Sequence, residues 1–144
     1  MIISRFIAIT FAICFSVNAY SQVPFECNDH FYQSFNPTGT QLMVLDYNVL
    51  TNTFVVAPNS FVGNVSAVGY RITDNFAYGI NMSGGITLVQ ISADGSAIDL
   101  GPIAGLPGNV TNYPGGDFGA DGLLYIDPTG AKIGFMGLTS MQSQ

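Results

Sequence analysis

His30 is the only imidazole in a chain of 144 residues, so nucleophilic or general-base chemistry would have to be organised around it. A hydrolytic serine needs such a base within reach and a sharp, glycine-flanked turn to present the hydroxyl. The nearest approach to that turn is Asn64-Val65-Ser66-Ala67-Val68, which lacks both glycines. Carboxylates offer two other chemistries. Asp117, Asp121 and Asp127 fall close together, and carboxylates with carbonyls are what hard cations take, but the spacing does not fit an EF-hand loop. Asp121-Gly122 and Asp127-Pro128 read instead as turn dipeptides in which Asp accepts bonds from the local backbone. A glycosidase needs two carboxylates held about 5 to 10 Å apart, and no local spacing among Asp99, Asp117, Asp121 and Asp127 supplies that. The expectation is therefore no catalytic residue, no metal and no cofactor. An acidic site assembled only in three dimensions is the enzymatic alternative. Asn64, Asn81 and Asn109 each head an N-x-S/T triplet, a glycan acceptor in a secreted eukaryotic chain and otherwise ordinary turn chemistry.

The first residues have the layout of an export signal. Arg5 precedes an apolar run from Phe6 to Val17, shorter than the roughly 20 residues that span a bilayer. Ala19-Tyr20-Ser21 then places small side chains at the −3 and −1 positions of a cleavage site. The expected leader is residues 1–21, and the expected mature chain is residues 22–144, a single domain with no membrane span after cleavage. Phe11-Ala12-Ile13 before Cys14 is a poor lipobox, with Ile where a small residue is needed, so lipidation is not expected. Loss of Cys14 leaves Cys27 alone, without an internal disulfide and best read as a small buried hydrophobe. Arg71 and Lys132 are then the only bases against nine acids, a formal charge of −7. Nucleic acid is disfavoured as a partner, because phosphate binding needs clustered Lys and Arg.

The elements that must position these groups are strands. Turn signals such as Asn36-Pro37-Thr38-Gly39, Asp74-Asn75, Ser83-Gly84-Gly85, Asp94-Gly95, Pro114-Gly115-Gly116 and Pro128-Thr129-Gly130 separate short runs rich in Val, Ile, Leu, Phe and Tyr. The alternation is of strand type. Asp94-Gly95 predicts a two-residue hairpin turn, since Gly accepts positive φ. The chain also repeats itself. DNFAYGI from Asp74 matches DGLLYI from Asp121, Tyr32 precedes Tyr78 by 46 residues, LMVLDY at Leu42 answers LVQISA at Leu88, and Gly63-Asn64-Val65-Ser66 recurs as Gly108-Asn109-Val110-Thr111.

A period of about 46 residues with four strands per copy predicts β-propeller-like blades that bury their faces by stacking. The expected fold is all-β, about two and a half blades, incomplete or open. The complete blade is residues 63–104, with strands at Ala67–Tyr70, Phe76–Ile80, Thr87–Ser92 and Ala97–Leu100. A partial blade at 28–62 has strands at Phe31–Phe35, Met43–Tyr47 and Thr53–Ala57. A second partial blade at 105–136 has strands at Asp117–Gly119, Leu123–Ile126 and Ile133–Met136. In this register Tyr32, Tyr78 and Tyr125 occupy equivalent core positions.

The cadence GYRITDNFAYGIN, GGITLVQISADGSAIDLGPIAGLPG and GGDFGADGLLYI resembles the propeller-like repeats of unknown function found in large secreted bacterial surface proteins. The resemblance implies a secreted or cell-surface setting. A strong structural repeat without a catalytic constellation favours a noncatalytic exported binding or scaffold domain; a secreted enzyme whose acidic residues converge only in three dimensions and a truncated fragment without independent function are the alternatives. Recognition is expected in the long connection from Gly105 to Asp117, because loops on a rigid sheet scaffold usually carry it. Asn109, Thr111, Asn112 and Asp117 would offer hydrogen bonds there, and Tyr113 a flat apolar face, to a protein or glycan ligand. Exposed sheet edges would favour self-association.

The leader yields the first prediction. N-terminal sequencing of secreted material should begin at Gln22 or within a few residues of it; intact Met1 retained in the cytoplasm would contradict the export signal.

Overall fold

Short apolar runs punctuated by Asn, Asp and Gly fold as antiparallel hairpins. The computed structural model describes residues 22–26, 29–36, 41–103, 106, 112–127 and 136–138. Residues 1–21, expected to form the leader, and Cys27, Lys132 and most of the connection from Gly105 to Thr111 lie outside the described residues. The first sheet contains β1 (His30–Phe35), β2 (Gln41–Asn48) and β3 (Thr53–Val56), with the two-residue β4 (Phe61–Val62) pairing against the start of β2. The middle sheet is a four-stranded meander of β5 (Val65–Arg71), β6 (Phe76–Asn81), β7 (Thr87–Ile91) and β8 (Ala97–Pro102). The third contains β9 (Gly115–Phe118), β10 (Leu124–Asp127) and β11 (Met136–Leu138), with β10 central. The protein is all-β, no helix occurs among the described residues, and no sheet closes on itself.

The turns explain the hairpins. In the β2–β3 turn Tyr47 Oη donates to Asn52 Oδ1 at 2.8 Å, and in the β5–β6 turn Tyr70 Oη donates to Asn75 Oδ1 at 2.6 Å. Both asparagines have positive φ, 53° and 60°, a conformation Asn tolerates because its short polar side chain bonds locally. The β7–β8 turn differs from the expected two-residue form. Ser92 and Ser96 still pair through Ser92 N–H to Ser96 O, leaving Ala93-Asp94-Gly95 as a three-residue loop with Gly95 at φ 84°. Such a loop needs glycine at its left-handed third position.

Alternation along the strands sends side chains to opposite faces, and both faces of the middle sheet are covered. Val65, Ala77, Val89 and Ile91 meet Leu42 and Val44 of the first sheet, with Phe25 inserted beside them. Phe25 is fixed by its N–H on Asn75 O and by ring contacts to Tyr32 and Tyr70, centroids 4.6 and 6.2 Å away. On the other face Tyr78 and Ile80 meet Leu124 and Ile126 of the third sheet and Tyr113 just before β9, and Tyr78 packs edge-on against Phe118 at 5.5 Å. Tyr78 is only 4 % exposed, whereas Tyr32 and Tyr125 are half-buried.

β5 and β9 approach backbone to backbone. A Cβ at Gly69 would lie 2.8 Å from Asp117 Cα, and one at Gly116 would run into the Ala67 carbonyl. Ala67 itself has φ 51°, within an irregularity of register between Ser66 and Gly69. This bulge bends the strand toward its neighbour. Gly69→Ala should therefore cost about 1 to 3 kcal/mol by overpacking, while Gly115→Ala, facing open space, should cost much less; equal urea midpoints for the two variants would contradict the close approach.

Candidate functional site

The densest polar cluster grows from the β5–β6 hairpin. Asp74 Oδ1 accepts the Phe76 N–H at 3.2 Å, closing the turn, and its Oδ2 accepts from Tyr78 Oη at 2.6 Å and from Arg71 Nε at 2.9 Å. Arg71 Nη2 also reaches Asp74 Oδ2 and donates to Tyr78 Oη at 2.7 Å, with the guanidinium 4.6 Å from the Tyr78 ring centroid. Gln90 on β7 donates to the same phenol at 2.8 Å. Burial disfavours the Asp74 carboxylate, but the bonds from Arg71, Tyr78 and the Phe76 amide outweigh it and hold its pKa below the ordinary value. Burial first, then the bond to Asp74, pushes the Tyr78 phenol well above its usual range. A phenol kept protonated and a carboxylate with both oxygens engaged are suited to fixing a turn. Neither is poised to move a proton.

His30 is committed in the same way. Asn48 Nδ2 can only donate, so His30 Nε2 accepts from it at 3.1 Å, and Nδ1 donates to Asp46 Oδ1 at 2.7 Å. The ring also stacks on Tyr32, centroids 5.9 Å apart. Beside it a cleft of about 380 Å³ opens between the first and middle sheets, walled by Phe25, Tyr32, Val44, Val68, Tyr70 and Ile91 with His30, Ser34 and Glu26 among its polar lining.

The connection from Gly105 to Asp117 is arranged differently from expectation. Asn109 and Thr111 lie outside the described residues. Asn112 is exposed, and its Oδ1 accepts the Tyr113 N–H at 2.9 Å. Tyr113 does not present a face to solvent: it is 0 % exposed, packed among Ala67, Tyr78, Ile80, Leu124 and Ile126, and its hydroxyl finds no hydrogen-bond partner among the described residues. Its ring fills the gap between the middle and third sheets. Asp117 is exposed on β9 and bonds the Phe118 N–H. The acids weighed for catalysis serve local structure as well, Asp99 accepting from Thr87 Oγ1 and the Gly101 N–H, each at 2.8 Å. Among the described residues no three His, Cys, Asp or Glu side chains gather to hold a metal ion.

A family model described as a repeat of unknown function (DUF6923) matches residues 31–136. The chain belongs to this repeat family. No curated protein and no solved structure matches it. Within the matched repeat region one unit of geometry recurs: Asp121 Oδ1 accepts the Leu123 N–H at 3.1 Å and Oδ2 accepts from Tyr125 Oη at 2.6 Å, as Asp74 does with Phe76 and Tyr78. The signal was legible in the sequence as Asp followed four residues later by Tyr. The cross-strand partners Gln90 and Asp46 had no local signal at all.

The shifts fix a pH dependence. An Asp74 pKa below its unfolded value of about 3.9 contributes stability that is present above that pH and lost as pH falls through the folded value. A raised Tyr78 pKa contributes stability that is present below about pH 10 and lost as pH rises through the folded value. Denaturant unfolding should show a broad plateau falling at both ends, with a shallower acid limb in Asp74→Asn and a shallower alkaline limb in Tyr78→Phe. Limbs parallel to those of the unchanged protein would contradict the assignment.

Proposed function

We propose that the chain is a noncatalytic binding or scaffold domain, exported as part of a secreted or cell-surface protein and built from about two and a half propeller-like repeats of about 46 residues. The observation that carries this reading is the use of its reactive side chains. His30 has both ring nitrogens engaged within the first sheet, and Asp74 and Asp121 close turns at matching places in the next two. A repeated device at successive sheets supports an architectural role, since a catalytic constellation is one of a kind in a domain. The stacking supports the propeller-like reading: each of the first two sheets turns a Tyr, Tyr32 or Tyr78, toward the sheet that follows it.

The exposed surface offers an aromatic row to a protein or glycan ligand: Phe31, Tyr47 and Phe54 lie in sequence across the first sheet, ring centroids 6.5 and 4.4 Å apart, and the two outer rings are exposed.

Replacing a catalytic group commonly stabilises a protein, because active sites are held at a cost to stability, whereas replacing a structural group destabilises it. His30→Ala, Asp46→Ala and Asp121→Asn should each lower the thermal unfolding temperature of the exported chain. A variant with raised stability together with loss of a hydrolytic activity would favour the secreted-enzyme alternative.

A further inference from the structure

We propose that the outer edge of β1, with the cleft beside it, takes up an extended segment of a partner protein as an added antiparallel strand. The proposal rests on the binding-domain reading and names the place and the kind of ligand. The strands that bear Tyr78 and Tyr125 are paired on both sides, β6 by β5 and β7, and β10 by β9 and β11. β1, which bears Tyr32, pairs only with β2 among the described residues, and no backbone bond of the turns and loops reaches residues 30–35 there. The segment just before β1 is held elsewhere. The Phe25 N–H bonds Asn75 O, and Val23 O accepts from the Ala93 N–H, at two turns of the middle sheet.

The cleft of about 380 Å³ shows that the space along this edge is open. It touches His30, Tyr32 and Ser34 on one face of β1 and Phe31 on the other. Successive side chains of a strand point to opposite faces, so a cavity that reaches both runs beside the edge. Its opposite wall is Val68, Gly69 and Tyr70 of β5. β9 closes on β5 from the side of the third sheet; a strand added to β1 would stack on β5 from the side of the first. An unpaired edge is a template for a peptide strand, with main-chain bonds for affinity and side-chain fit for selection.

The strand that holds the corresponding place in the middle sheet describes the segment. Opposite Tyr78 stands Gly69, whose missing side chain admits β9. Opposite Tyr32 the segment needs a residue equally small, because Val68 and Tyr70 wall the cleft. β5 ends in Arg71. A basic residue at the same end of the added strand would lie by His30, where Glu26 lines the cleft and pairs with no base among the described residues. A second copy has no such strand to give among its described residues, since β5 and β9 are already paired, so the donor is a different protein.

The test titrates the exported chain with the acetylated, amidated peptide VTVGYR, which ends in the residues of Val68–Arg71 and matches β1 in length. Fluorescence polarisation reads affinity, and amide hydrogen exchange reads the place. Binding should slow exchange in β1, and Glu26→Lys should weaken it roughly two- to fivefold, as for loss of an exposed ion pair. Two further peptides carry N-methyl groups at alternate residues, one in each phase. The phase whose N–H groups face β1 should lose about tenfold or more in affinity through its missing main-chain bonds, and the other should lose little. Equal losses in the two phases mean docking by side chains and overturn the proposal. So does absence of binding to the chain shown folded by circular dichroism. Exchange in β1 that is equally slow with and without peptide means that the edge is already filled, and overturns it too. In each of these cases the noncatalytic reading stands as long as His30→Ala and Asp46→Ala still destabilise.

Discussion

A meander of four strands, five to seven residues each, encloses no volume, so its apolar residues leave water only if other layers cover them. That constraint governs this molecule. β6 is buried from Ala77 through Asn81, both faces included, with one face covered by the first sheet and the other by the third. Val89 and Ile91 depend on Leu42, Val44 and Phe25; Ile80 and Tyr78 depend on Tyr113, Leu124 and Ile126. The glycines at 69 and 116 follow from the same requirement, because only without side chains can β5 and β9 come close enough to seal the second interface.

Polar side chains are spent on holding the hairpins that feed this stack. Asp74, Asp94 and Asp121 each satisfy a backbone N–H two residues on, and two of the three also take a tyrosine hydroxyl from the adjoining strand. These carboxylates are engaged in local structure among the described residues. Asn59 extends the scheme between sheets: its N–H and its side-chain amide both bond Asp94, docking the loop after β3 onto the β7–β8 turn.

Most of the strand pattern was legible because Gly, Asn and Asp mark turns by local backbone preference, and the paired Asp-to-Tyr spacing exposed the recurrence. What escaped was set by distance in sequence. Tyr113 sits between Asn112 and Pro114-Gly115-Gly116, a composition that reads as surface loop, yet the gap between two sheets needed a large ring and took it. Phe25 stands near the start of the described residues with no periodicity around it, and only the folded first interface shows its role. β4 is too short to give a pattern, and the Asp46 partner of His30 lies on the neighbouring strand. The carboxylate–imidazole pair and the buried tyrosine are products of packing, and packing leaves no local trace.

The dependence of the middle sheet on both neighbours can be read most directly from native-state amide hydrogen exchange, because amides that open only with the whole domain exchange slowest. The account predicts the slowest exchange at Ala77 to Asn81 and Leu88 to Ile91, with faster exchange in β1, β3 and β9, which border uncovered surface. Protection in β1 or β9 equal to that in β6 and β7 would contradict it.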